Sequence, residues 1–327
     1  MGFSNQDKPG TPIAANLGGN GPALWRVIVI LLLGVLAVST GSIWVRLALK
    51  LRGEGGLAFS LIVAASRMTV AALLLSGNWR KMPGRVSGQQ VAGAAWSGLF
   101  LALHFAAWIS SLSYTSIAAS TTLVTTTPLW VALFSSIVLG ERLSRRTWLG
   151  MVLALSGGVL VASGEMAIAV PGSQPLLGNG LALLGAWIVS IHLLLGRRIQ
   201  QQGLDLGNYV TITYTVAALV LLPLPWLLGE GYGGYPPLFY GYLLLMGLFP
   251  QLLGHTSLNW ALRWLSPTWV TLAVLFEPIS ASLLGFLLFG EVPGSDVFLG
   301  GVVVLTGVAI AVLGGRDRRG DRDRKRD

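Results

Sequence analysis

The sequence of 327 residues contains no cysteine and few charged residues. Without cysteine, the chain can form no disulfide, no thiolate metal site and no cysteine nucleophile, and nothing else in it indicates a metal ion or a cofactor. Charged residues make up 11% of the sequence and hydrophobic residues 53%, whereas soluble domains carry about 25% charged residues. With a mean hydropathy of +0.70, the chain has too little polar surface to face water on all sides. We therefore expect lipid to cover much of it.

Ten apolar segments are long enough to cross a bilayer, for which a helix needs about 20 mostly apolar residues. Short connections rich in glycine and proline separate them, and none has room for a soluble domain. We therefore predict an all-α membrane protein of about ten transmembrane helices. The predicted spans are residues 24–46, 57–76, 91–112, 117–139, 147–164, 177–196, 208–228, 238–261, 268–289 and 296–314.

The basic residues are distributed unevenly between the two sides of this topology. With the N-terminus placed in the cytoplasm, 18 of the 22 lysines and arginines fall in cytoplasmic segments, and only Arg46, Lys50 and Arg52 fall outside. Cytoplasmic loops are enriched in Lys and Arg, so we predict a multi-pass protein of the inner cell membrane with both termini cytoplasmic. This bias explains the net charge of +9 by contact with membrane lipid, and we expect no nucleic-acid partner.

The second half of the sequence repeats the first. Pro128 and Glu141 recur 150 residues later as Pro278 and Glu291. Because each half has five spans, an odd number, the second half must enter the membrane from the opposite side, and inverted repeats of this kind are a transporter architecture. The predicted regions are a disordered tail (residues 1–23), a first five-helix repeat (24–164), a second five-helix repeat (177–314) and a charged cytoplasmic tail (315–327).

Glycines recur every seven residues on the fifth and tenth spans. They are Gly150, Gly157 and Gly164 on the fifth span, and Gly300, Gly307 and Gly314 on the tenth. Glycines two turns apart lie on nearly one helix face and let another helix approach closely. We predict that both spans pack within the chain, away from the substrate path; a homodimer formed through these faces is the alternative.

Five short segments together carry a family resemblance. They are residues 123–128, 139–144, 254–262, 277–278 and 289–291. The set resembles the EamA-type family of the drug/metabolite transporter superfamily, over about residues 25–314 in two tandem units. The resemblance implies ten helices, a central cavity lined by spans one to four and six to nine, and export or exchange of small organic metabolites, often amino acids or related solutes. The paired Lys/Arg signature of sugar-phosphate carriers is not evident, which disfavours a phosphate substrate.

Two proline positions mark mid-membrane breaks with polar residues beside them. Glu277 precedes Pro278 in span nine, as Thr127 precedes Pro128 in span four. Proline removes a backbone donor and disrupts the helix, which frees carbonyl groups to line a cavity. Ionisable residues at membrane depth are functional candidates, so Glu277 is a candidate to accept a proton or bind a substrate ammonium group. The alternative is a protonated glutamate that only shapes the kink. Thr127, its repeat counterpart, is a candidate to face it across the pseudo-two-fold axis.

Polar side chains spaced by four residues form a stripe on span eight. Gln251, His255 and Asn259 share one helix face at this spacing, and on span three His104 and Trp108 do the same. The repeat offset places His104 opposite the position next to His255, so we expect both histidines at equivalent levels of one cavity. The two readings are a substrate or coupling site and a ladder of interhelical hydrogen bonds.

Arg67 is the one basic residue in the middle of a predicted span, since Arg26 and Arg46 lie at the two ends of span one. A cation at this depth needs an anion or several carbonyl groups as partners. The candidate partners are Glu277 and a substrate carboxylate. A structural ion pair or snorkelling of the side chain to the interface is the alternative.

The sequence therefore predicts a secondary transporter that moves a small-molecule substrate by alternating access. It contains no Walker motif, so ATP-driven transport by this chain is not expected. The alternatives are a membrane-embedded enzyme and a channel or scaffold without coupling. An enzyme would ordinarily show clustered catalytic groups, whereas the three histidines lie on three different spans.

Overall fold

The computed structural model is described at residues 22–52, 55–82, 86–139, 143–167, 174–261, 265, 270 and 273–324, and in these it contains helices and no strands. Within this part of the chain, nine helices or pairs of helices are long and apolar enough to cross a membrane, and Phe276–Phe289 is a shorter apolar helix. The predicted all-α fold is confirmed, and the count of ten spans is approximate.

The first half of the chain forms six helices and one 3₁₀ segment. The helices are α1 (Leu24–Arg52), α2 (Leu57–Leu74), α3 (Gly88–Ser111), α4 (Ile117–Val124), α5 (Thr127–Leu139) and α6 (Arg145–Ala167), with the 3₁₀ segment Ser76–Lys81 after α2. Predicted span four is thus divided into α4 and α5, because the chain turns at Thr125 and Thr126 before Pro128.

The second half has a similar order of helices, but in it span eight is interrupted by a π-helix. Its helices are α7 (Pro175–Gln201), α8 (Leu206–Leu221), α9 (Leu224–Leu227), α10 (Pro237–Met246), α11 (Thr256–Ala261), α12 (Phe276–Phe289) and α13 (Ser295–Arg324), and a π-helix at Gly247–His255 joins α10 to α11. Pro250 lies inside the π-helix. Because proline lacks the N–H that a regular α-helix requires, span eight has π-helical geometry at this point.

The glycine-bearing helices α6 and α13 pack directly against each other. A Cβ added to Gly157 would lie 2.6 Å from the Val304 backbone nitrogen, and one added to Gly164 would lie 2.8 Å from that of Val297. The contacts move backward along α13 as they move forward along α6, so the two helices are antiparallel. The equivalent helices of the two halves therefore run in opposite directions, as inverted repeats require.

A second pair of contacts obeys the same symmetry. Ser97 of α3 bonds to His192 of α7, and His104 bonds to Gly185 farther along. In the symmetry-related pair, a Cβ on Gly34 of α1 would lie 2.7 Å from the Cβ of Ser257. Gly34 and Gly185 are thus equivalent points of close approach between the first helix of one half and the third helix of the other.

Polar contacts between connections fall into two groups at opposite ends of the helices. One end has Arg46–Glu291, Arg52–Glu230 and Ser60–Ser113. The other end has Asn78–Thr211, Gln90–Gln202 and Thr147–Ala311. Every pair joins segments that the predicted topology places on the same side of the membrane.

Large apolar side chains stay exposed on the outer surfaces of the helices. On α6 and α13 they include Trp148, Leu149, Val152, Phe298 and Leu299. A patch of this extent on a folded chain marks contact with another apolar phase. Together with the candidate spans, this defines a multi-pass membrane protein.

We predict that Gly157→Ala destabilises the protein whereas the neighbouring Gly158→Ala does not. The new methyl group at 157 would lie within 2.8 Å of the Gly300 carbonyl oxygen, and at 158 its nearest contact would be Leu123 at 3.5 Å. Overpacking costs about 1–3 kcal/mol, while Gly→Ala in a helix gains up to about 1 kcal/mol. Thermal unfolding in detergent should show a lower midpoint for Gly157→Ala alone. Equal midpoints for both variants would contradict the close packing of α6 on α13.

Candidate functional site

Arg67 lies buried in the middle of the helix bundle, with 1% of its surface exposed. Its Nε donates a hydrogen bond to Oε1 of Gln251 (2.9 Å). Its guanidinium carbon lies 4.2 Å from the ring centroid of Phe105 and 5.7 Å from that of Trp108. The charge is therefore held by α2, α3 and the π-helix together, and we call Arg67, Gln251, Phe105 and Trp108 the Arg67 site.

Among the described residues, Arg67 forms no ion pair. The ion pairs in this part of the chain are Arg46–Glu291 and Arg52–Glu230. Glu277 lies close enough to interact with Arg67 electrostatically, yet no salt bridge joins these two described side chains. The Arg67 side chain is buried inside the bundle.

Two hydrogen-bond donors at the site have no acceptor among the described residues. They are Nη1 of Arg67 and Nε1 of Trp108, and both are buried. Gly41 of α1 packs beside them: a Cβ there would lie 3.3 Å from Cη2 of Trp108 and 3.6 Å from Nη1 of Arg67. A buried donor without a partner is costly, so these two groups are unusual within the described part of the chain.

The π-helix positions two of the three residues of the predicted stripe. Gln251 is buried and reaches Arg67, and the ring of His255 lies edge-on to Phe105 at 6.1 Å. The two side chains thus face the same site, as their spacing predicts. The side chain of Asn259 lies outside the described residues. Insertions of π-helical geometry occur frequently at functional sites. The four-residue spacing of the polar stripe did not predict the π-helix at Gly247–His255.

His104 and Trp108 share a face of α3 as predicted. Their rings are parallel, within 2°, with centroids 6.3 Å apart. Nδ1 of His104 lies 2.9 Å from the Gly185 carbonyl oxygen, and since a carbonyl only accepts, we assign the proton to Nδ1. The His104 ring also packs on Phe105 at 4.9 Å, so Phe105 contacts the rings of both His104 and His255.

The two prolines lie at the starts of helices rather than at kinks within them. Thr127 is the first residue of α5 and Glu277 the second of α12, so Pro128 and Pro278 fall in first turns. A missing N–H costs little there. The buried Glu277 carboxylate lies in the first turn of α12, where the helix dipole favours negative charge. A turn precedes each of these helices, at Thr125–Thr126 and at Leu275, and the helix resumes one residue before Pro128 and two residues before Pro278.

The hydroxyl groups of three successive threonines at the break in span four bond back to carbonyl groups at the end of α4. Thr127 donates to the Val124 carbonyl (2.7 Å), Thr126 to that of Leu123 (2.7 Å) and Thr125 to that of Thr122 (2.9 Å). The Thr127 carbonyl in turn accepts a bond from Ser190 of α7 (3.1 Å). These hydroxyls replace backbone bonds lost at the break between α4 and α5.

Phe105, Tyr214 and Gly41 belong to the site but were not identified from the sequence. Phe105 follows His104 and precedes Trp108 by three residues, a helical spacing that would have indicated it. Tyr214 of α8 is buried in the same hydrophobic cluster as Phe105 and Trp108. Nothing in the local sequence distinguishes Tyr214 or Gly41 from other residues in apolar spans.

A network at one end of the helices ties α1 to α4 and α12. Arg46 pairs with Glu291 (3.0 Å) and donates to the Thr115 carbonyl (3.2 Å), while the Ile117 N–H donates to Glu291 (3.3 Å). Gly290 ends α12 with a φ of 68°, a left-handed conformation that favours glycine. Glu291 thus forms an ion pair with Arg46 and accepts a hydrogen bond from the N-terminus of α4.

Comparison with known proteins identifies the family. A fold of antiparallel equivalent helices around a buried polar site is that of a multi-pass membrane transporter, and the sequence profile of the EamA-like transporter family matches residues 25–163 and 176–313. The chain belongs to the EamA-like transporter family.

Several relatives show the extent of the similarity. An uncharacterized transporter, YdfC, of Bacillus subtilis is 29% identical over 58% of this chain and 61% of its own. A protein of Streptantibioticus cattleyicolor named "probable terminal-alkyne amino-acid exporter" is 26% identical over 58% of this chain and 61% of its own. An uncharacterized protein of Pseudomonas aeruginosa is 28% identical over 86% of this chain and 94% of its own.

The likeness also extends to a solved structure. The crystal structure of another protein matches this chain with a TM-score of 0.59 at 20% identity. The match covers 90% of this chain and 99% of that protein, and it supports the fold alone. The matches to the Bacillus and Streptantibioticus relatives span about three-fifths of those proteins, 61% in each.

We predict that Gln251→Leu lowers the thermal unfolding midpoint, because it leaves the buried Nε of Arg67 without an acceptor. An unsatisfied buried donor costs about 1–3 kcal/mol. Gln251→Glu, which keeps an acceptor, should lose less, and Gln89→Leu on the exposed surface of α3 should change little. Equal midpoints for Gln251→Leu and Gln89→Leu would show that the bond to Arg67 does not stabilise the fold.

Proposed function

We propose that this protein is a secondary transporter that exports or exchanges small organic metabolites, amino acids or related solutes, across the inner membrane by alternating access. The observation that carries the proposal is the composition of the Arg67 site. Arg67, Phe105 and Trp108 come from the first half of the chain, and Gln251 comes from the second. Rocking one half against the other would therefore change the site itself, as alternating access requires.

The substrate class is supported by a relative and by the charges at the site. The name of the Streptantibioticus relative refers to an amino-acid exporter. An amino acid carries one carboxylate and one ammonium group, and the site offers a buried cation, Arg67, and a buried carboxylate, Glu277. Each lacks an ion-pair partner within the described residues, which leaves both charges able to interact with a zwitterion.

Transport by purified protein in liposomes tests the function. We expect saturable uptake of at least one solute from a panel of the standard amino acids and propargylglycine, a terminal-alkyne amino acid, and faster uptake when the same solute is preloaded inside. Uptake that rises linearly with concentration would indicate a channel, and chemical conversion of the solute would indicate an enzyme. Absence of uptake throughout the panel would contradict the proposed substrate class.

The same assay tests Glu277 as a proton or ammonium site. Glu277→Gln should abolish stimulation of uptake by a pH gradient, or weaken uptake of the amino acids at all pH values. Asp296→Asn is the matched control, since Asp296 also lies in the first turn of a helix but is exposed. A Glu277→Gln protein with unchanged uptake under both conditions would leave this carboxylate a structural role only.

We also propose that both termini lie in the cytoplasm, because the basic residues favour that orientation. The chain has no cysteine, so single cysteines report on it without background. Gly233 and Gly77 lie at opposite ends of the helices with open space around them. In intact cells, a membrane-impermeant maleimide should label Gly233→Cys and spare Gly77→Cys. The reverse pattern would invert the proposed orientation.

A further inference from the structure

We propose that the Arg67 site binds the carboxylate of a monoanionic or zwitterionic solute through the free edge of the Arg67 guanidinium. This inference rests on the proposed function, since the solute would be the transported one. Nothing in the comparisons assigns a substrate site. Three observations lead to it: the orientation of the guanidinium, the charge count of the site, and the shortage of acceptors around it.

The guanidinium is held in a way that leaves one edge available. Its face lies against Phe105, with the central carbon 4.2 Å from the ring centroid, and its Nε is used by Gln251. Stacking on an aromatic ring occupies the face of a guanidinium but leaves its in-plane donors free. Nη1, at the other end of the guanidinium, is buried and has no acceptor among the described residues, and the proposed carboxylate would take this donor when the two halves move apart.

The charge at the site matches a single carboxylate. Among the buried residues that the structure describes, Arg67 is the one lysine or arginine. A phosphate or dicarboxylate would bring a second negative charge into a low-dielectric region that holds Glu277 as well. An amine without a carboxylate would be repelled by Arg67. A carboxylate is also the group that the planar fork of arginine fits best.

The groups left unpaired at the Arg67 site are donors. They are Nη1 of Arg67 and the indole Nε1 of Trp108. A Cβ built on Gly41 would lie 3.6 Å from Nη1 and 3.3 Å from Cη2 of Trp108, so α1 also borders this end of the guanidinium. A carboxylate supplies acceptors to donors, and the aromatic wall of Phe105 and Trp108 accommodates the apolar part of the solute.

Binding of acid and amide pairs to the purified protein in nanodiscs tests this proposal independently of transport. The probes are alanine, leucine and phenylalanine, each with its carboxamide, measured by calorimetry and thermal shift. We expect at least one acid to bind about tenfold or more tightly than its amide, because a charged hydrogen bond is stronger than a neutral one. Arg67→Gln should abolish this preference while leaving weak binding of the amide unchanged.

Two further variants make the result interpretable. Arg67→Lys keeps the positive charge but loses the fork, so it should retain a reduced preference for the acid, and it serves if Arg67→Gln does not fold. Arg80→Gln removes a charge from the exposed surface of the 3₁₀ segment after α2 and should retain the full preference. Absence of binding by every acid, equal binding of acids and amides, or an undiminished preference in both Arg67 variants would overturn the carboxylate site.

The outcomes separate this inference from the proposed function. Saturable transport without preference for acids would reject the carboxylate site and leave the transporter assignment standing. A preference that depends on Arg67 in a protein that transports none of the panel would support the site and contradict the proposed transport.

Discussion

The structure depends on close antiparallel packing between equivalent helices of its two halves. Inside a bilayer, helices gain no hydrophobic energy by leaving lipid for one another, so association relies on tight van der Waals contact between small residues. Gly157 and Gly300 supply this contact between α6 and α13, and Gly34 and Gly185 supply it where the halves meet elsewhere. These contacts between the two halves bring the remaining helices together around one polar centre.

That centre is organised by a charge that the fold encloses without cancelling. Arg67 rests on Phe105 and bonds to Gln251, while Glu277 remains within electrostatic range but unpaired with it. Burying an ionised group without a partner is expensive in lipid, and the contact energy of the surrounding helices must offset that expense. This arrangement is the basis for the proposal that Arg67 recognises a ligand, since an ion pair with Glu277 would have neutralised both charges.

Much of the fold was predictable because the bilayer imposes long apolar segments and because the repeat is visible in the sequence. The positions of Pro128 and Pro278 indicated breaks in spans four and nine. The sequence did not predict that each proline would lie in the first turn of a new helix. A proline indicates that a backbone hydrogen bond is lost, but it does not indicate at which residue the next helix begins. The π-helix around Pro250 was missed for the same reason.

The sequence by itself determined the helical membrane fold, the inverted duplication and the short set of polar residues that lie at membrane depth. Only the tertiary structure decided which of those residues meet. Arg67 bonds to Gln251, 184 positions away, rather than pairing with Glu277, and Tyr214 and Gly41 join the site without any local signal. The physical reason is that periodicity and hydropathy report the environment of one helix, whereas partners of a buried charge are set by how separate helices cross.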